Sequence, residues 1–169
     1  METVVRMGEA AASSAPGDVL ACIGLGSCIG LALVDRAGGV AGLAHVMLPE
    51  SGRPDAPQPH KFADLAVPAL VDLVVRHGAA PARLEAALAG GAAMFKFGDG
   101  GGQDIGSRNE AAVTRLLEDH GVPVRATATG GSRGRTIRIA VGPDVTISVR
   151  EAGGRESVLL GAPAQAMAA

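Results

Sequence analysis

Residues 19–34 read VLACIGLGSCIGLALV, two apolar runs parted by a glycine-rich turn. Val19 to Ile23 and Ile29 to Val34 have the length and composition of strands. Between them Gly24, Gly26 and Gly30 give the spacing GxGxxxG, one residue off the dinucleotide fingerprint. That fingerprint must open a helix whose N-terminus faces the pyrophosphate. Here a strand follows, and the chain holds no Walker-type GK[ST]. Nucleotide binding is rejected on that ground.

Working outward, residues 2–7 read as a short strand and Ser13 to Asp18 as a turn. Val40 to Leu48 (VAGLAHVML) is a third strand, apolar on both parities, as expected of a strand covered on both faces. Ala41, Leu43, His45 and Met47 share one face of it. Pro49 to Pro59 holds four prolines and reads as a surface loop. Phe62, Leu65, Ala66, Ala69, Leu70, Leu73 and Val74 then recur at helical spacing, and Arg76-His77-Gly78 is the stop. Pro68 costs an internal hydrogen bond, about 3 kcal/mol, and predicts a kink. Leu84 to Ala89 is a strand running into Gly90-Gly91, and Gly98 to Gly106 is a flexible loop. Ser107 and Glu110 match a capping box for the next helix, whose apolar face is Ala112, Val113, Leu116 and Leu117 and which Gly121 ends. Val122 to Thr129 is a strand. Ile137, Ile139 and Val141, then Val145, Ile147 and Val149, alternate with polar or small residues around a Gly142-Pro143-Asp144 hairpin. The order is strands, helix, strand, helix, strands. It predicts an α+β fold with mixed or mostly antiparallel sheet, not a doubly wound one. One domain is expected over 1–160, with a frayed tail over 161–169.

Composition narrows the function. Apolar residues make up 47% of the chain, enough to exclude a disordered one. Three Phe and no Trp or Tyr leave the core to Ala, Val, Leu and Ile. The formal charge of -2 and the lack of a basic stripe with aromatics argue against nucleic-acid binding. No run of roughly 18 apolar residues is free of both charge and turn signals, and METVVRMGEA is unlike a signal peptide. A cytoplasmic location is expected, with Cys22 and Cys28 as reduced thiols.

The chemistry turns on Cys28. Taken alone it reads as a small buried hydrophobe. A metal site is weakly supported, because Cys22, Cys28, His45, His60 and His77 match no zinc spacing. Two details favour a nucleophile. Gly24 and Gly26 are costly in a strand and signal a positive φ or a close approach. A turn also frees the N–H groups of Ser27 and Cys28 to converge as an oxyanion hole, with Gly26 and Ser27 at the rim. His45, alone, reads as a satisfied core histidine. If strands 29–34 and 40–48 pair around Asp35 to Gly39, however, it falls within a residue or two of the level of Cys28. An adjacent imidazolium can lower a thiol pKa from about 8.5 to about 3.5–7.5, and the same ring can protonate a leaving amine.

GLGSCIG followed by GLAHVMLPES resembles the CheD family of chemoreceptor glutamine deamidases, and KFADLAVPALV, LAGGAAMF, IGSRNEAAV and TGGSRGR continue the likeness in order. The resemblance spans roughly residues 3–150. It implies an α+β sandwich with two helices on one side, Cys28 as nucleophile, His45 as general acid/base and no cofactor. It further implies methyl-accepting chemotaxis receptors as substrates and a CheC-type phosphatase as partner. In that family the position of Cys22, six residues before the cysteine, usually holds a threonine treated as the third catalytic residue. A thiol is the poorer hydrogen-bond partner. Either Cys22 orients His45 weakly, another group does so, or activity is reduced. A non-catalytic adaptor that binds the phosphatase or the receptor is the alternative, and a thiol peptidase or transglutaminase shares the chemistry.

Overall fold

The turn after Leu25 is where the chain changes sheets. The computed structural model describes residues 1–94 and 104–161. Among them one five-stranded sheet runs β1 (Glu2–Val4), β3 (Val19–Leu25), β8 (Arg135–Ala140), β9 (Thr146–Glu151) and β10 (Glu156–Leu160). The other runs β2 (Ala10–Ser13), β5 (Val40–Val46), β4 (Ile29–Asp35), β6 (Glu85–Gly90) and β7 (Val124–Thr129). Neighbours are antiparallel except β1 with β3 and β6 with β7, so both sheets are mixed. The α+β expectation holds, and the sandwich carries both helices, α1 (Ala63–Arg76) and α2 (Ile105–Asp119), on one side.

The central strand shows why. Every residue of β4 and β5 is buried. Ile29, Leu31 and Leu33 pack with α1 and α2 in one core, while Ala32 and Val34 pack against Leu20, Ile137 and Ile139 of the other sheet. A strand covered on both faces needs apolar residues at both parities, and IGLALV supplies them. Where the layers approach closely, a side chain is missing altogether. A Cβ on Gly42 would collide with Val74 of α1, and one on Gly30 would lie 2.9 Å from both Ile137 and Leu25.

Several local expectations change. β2 and β10 were not expected. AAAS lacks β-branched residues and ESVLL is a half-exposed edge, so neither shows a period. The capping box at Ser107 is corrected. The helix begins three residues earlier, and the Asp104 carboxylate caps it by accepting the Ser107 N–H at 2.9 Å. The buried face of α1 is Ala63, Ala66, Val67, Leu70 and Val74, rotated from the expected stripe, and the helix runs unbroken through Pro68. Residues 98–103 of the expected glycine loop and 162–169 of the expected tail lie outside the described residues. No helix among the described residues is long and apolar enough to cross a membrane.

At the far end of β4 the carboxylate of Asp35 is fully buried. It accepts paired bonds from Arg83 at 2.9 Å each and the N–H groups of Gly38 and Ala80, also at 2.9 Å. The Arg83 guanidinium foremost, then the backbone donors, holds its pKa down at about 2, against the cost of burial. A depressed carboxylate stabilises the fold above its unfolded pKa of about 3.9. That stability is lost as pH falls through the folded value of about 2. Thermal melts taken downward from neutral pH should show the decline only below about pH 4. In Asp35→Asn, which already lacks the charge, the slope there should be shallower.

Candidate active site

β3 leaves its sheet through a bulge. Its register with β8 slips between Cys22 and Leu25. Gly24, with φ +71°, makes the bend, and its N–H donates to the Thr136 hydroxyl at 3.3 Å. The bulge turns Ile23 outward, 51% exposed. The chain then crosses at Gly26 to Cys28 and enters β4. In β4, Gly30 lies opposite His45 of β5. Cys28, two residues before Gly30, projects from the same face, so Cys28 and His45 are diagonal neighbours. Such pairs stand about 7–8 Å apart at Cα, less at Cβ, within reach of an imidazole. Gly30 has no side chain to come between them.

Both side chains line one cavity of about 500 Å³ at the sheet crossover, with Gly26 and Ser27. Its rim is apolar: Met7, Ile23 and Met94 are all exposed hydrophobics. The absent side chain of Gly26 makes room for Met94, whose Cγ lies 3.1 Å from where a Cβ would sit. The carbonyls of the turn are all held from one side. Gly26 O accepts from Ala92 N, and Cys28 O from Gly91 N, at 2.9 Å each. Ser27 O accepts from Asn109 at 3.0 Å. The N–H groups of Ser27 and Cys28 make no hydrogen bond among the described residues.

His45 is 5% exposed, and its Nδ1 lies 3.1 Å from the Val5 carbonyl. A carbonyl only accepts, so Nδ1 carries the proton and Nε2 the lone pair. Burial pushes the His45 pKa below its usual 6.5, although the Val5 bond and the charge of Glu9 pull the other way. Burial pushes the Cys28 thiol up. The expected imidazolium-lowered thiol is therefore corrected. Burial of both groups disfavours both charges.

Cys22 is not in this cavity. It is fully buried among Leu20, Leu25 and Ile137, and burial first, then the neighbouring Cys28, pushes its thiol up. The ring of His45 has its partner in Val5 instead. In the Gly130 to Arg135 turn Arg133 is exposed, but Arg135 is not. Its side chain is 11% exposed and donates to Gly130 O at 2.7 Å and Gly90 O at 3.3 Å, bracing the corner under Cys28. Sequence reasoning missed this, and it missed Asn109. The signal for Asn109 was available: it falls on the stripe of Ala112, Val113 and Leu116, and a polar residue on an apolar helix face needs a partner.

The fold and cleft define a class, an α+β sandwich that carries a cysteine and a histidine in one open cavity where its sheets cross. The family described as CheD chemotactic sensory transduction matches residues 47–149. A chemoreceptor glutamine deamidase CheD of Thermotoga maritima is 40% identical over 158 residues, covering 94% of this chain and 97% of that one. A probable chemoreceptor glutamine deamidase CheD of Clostridium novyi is 41% identical over 152 residues, covering 88% and 93%. The chain belongs to the CheD family. The family match begins at Met47, after both Cys28 and His45, so the case for that pair is geometric.

Proposed function

We propose that this protein deamidates glutamine side chains of chemoreceptors, converting them to glutamate, with Cys28 and His45 as the reacting pair. The observation that carries the reading is their shared cavity beside two turn N–H groups that have no partner among the described residues. His45 Nε2 takes the thiol proton as Sγ attacks the amide carbon. The oxyanion is received by the N–H groups of Ser27 and Cys28, each such donor being worth roughly 3 kcal/mol. The imidazolium returns its proton to the leaving nitrogen, ammonia departs and a thioester remains. Water, deprotonated by His45, then releases the glutamate and restores the thiol. No cofactor enters any step. The Val5 carbonyl accepts from His45 Nδ1 and orients the ring without any group at position 22. The reading places the protein in the cytoplasm, as one domain over residues 1–160, with a CheC-type phosphatase as a further partner.

The test is the mass of a receptor fragment, which gains about one dalton for each glutamine as OH replaces NH2. Its pH dependence is specific. A neutral base is needed and its pKa lies below 6.5. The rate should therefore rise with pH to a half-maximum below that value and be level by neutrality. A rate that climbs instead through pH 8 to 9, about where a free thiol ionises, would mean that His45 is not the base.

A further inference from the structure

Asn109 sits on α2, yet both of its amide hydrogens leave the helix. Nδ2 donates to Ser27 O at 3.0 Å and to Met47 O at 2.9 Å. The residue is fully buried, and its Oδ1 has no partner among the described residues. A buried acceptor left unpaired costs stability. An apolar residue here would avoid that cost, so the two donors are what the position supplies.

The bond to Ser27 O has a specific consequence. Ser27 C=O and Cys28 N–H belong to one planar trans peptide, so they point in opposite directions. Pinning the oxygen aims the hydrogen. Gly26 O and Cys28 O are pinned in the same way by backbone N–H groups of Ala92 and Gly91. The middle peptide alone depends on a side chain. An accepted hydrogen bond also polarises the peptide and makes its N–H the better donor. The second bond, to Met47, holds the amide of Asn109 in place against the end of β5.

We infer that Asn109 is a positioning residue for the oxyanion hole, presenting the Cys28 N–H to the charge that develops on the substrate amide. This rests on the deamidase reading above. It predicts a split between two reactions of the same sulfur. Deamidation passes through an oxyanion, whereas alkylation by iodoacetamide does not.

The experiment compares wild type, Asn109→Leu, Asn109→Asp and Cys28→Ala on a chemoreceptor fragment, alongside iodoacetamide labelling of Cys28. In Asn109→Leu kcat should fall about tenfold to a hundredfold with KM little changed, part of the value of one oxyanion donor. Labelling should stay within about twofold of wild type. Asn109→Asp, equal in size but without an N–H to give, should show the same split and covers the case where the leucine variant misfolds. If kcat and labelling fall together in both variants, Asn109 merely holds the cysteine in place and the inference is overturned. It is overturned equally if kcat is unchanged. If wild type shows no deamidation that Cys28→Ala abolishes, the deamidase reading fails, and this inference with it.

Discussion

Gly90→Ala should cost the protein about 2–6 kcal/mol of stability, the sum of backbone strain and overpacking, and should take most of its activity. Gly90 ends β6 with φ +106°, a region that L side chains rarely adopt. A Cβ there would collide with the carbonyl oxygen of Cys28 and lie 3.3 Å from the Cβ of Leu25. What it meets first is backbone, which cannot rotate aside. Cys28 O is moreover the acceptor for Gly91 N, and Gly90 O accepts from Gly130 N and Arg135. Relieving the collision must therefore push the nucleophile turn away from β6 and break bonds on both sides. Urea unfolding of Gly90→Ala measures the stability. Gly52→Ala is the control, with φ +73° and nothing within 4 Å of the added carbon, so it carries the strain without the collision. Equal midpoints for the two variants would show that the corner under Cys28 yields freely.

That corner marks where the sequence stops being legible. Strand alternation in β8 and β9 and the two-faced apolar runs of β4 and β5 are local patterns, and they led to the right fold class. A histidine in an apolar strand, one hairpin away from a cysteine among glycines, was enough to suggest a pair. The crossing of sheets at Gly26 to Cys28 was not legible, because nothing local says that β3 pairs with β8, more than a hundred residues on. Val5 was invisible for another reason. It contributes a backbone oxygen, which every residue has. Asn109 acts on partners 82 and 62 positions away, and the nearby Ser107 and Glu110 offered a cheaper, local account of the same segment. The direction in which burial pushes both groups was not legible, because burial depends on how the sheets stack.

Cys28→Ala should abolish deamidation, a loss on the order of 10⁴ to 10⁶, by comparison with removal of other activated nucleophiles. The fold should survive. Cys28 is partly exposed, and deleting one sulfur there removes less than about 1 kcal/mol of burial. Cys22→Ala should do the reverse: it opens a small cavity among Leu20, Leu25 and Ile137 and lowers stability while the reaction continues. The thioester itself can be caught. Hydroxylamine competes with water for an acyl-sulfur bond and leaves a hydroxamate on the receptor glutamine, heavier by about sixteen daltons where hydrolysis adds about one. The account predicts that the share of hydroxamate rises with hydroxylamine concentration in the wild-type protein and that both products vanish in Cys28→Ala. Glutamate alone at every hydroxylamine concentration, or the same two products from Cys28→Ala, would contradict it.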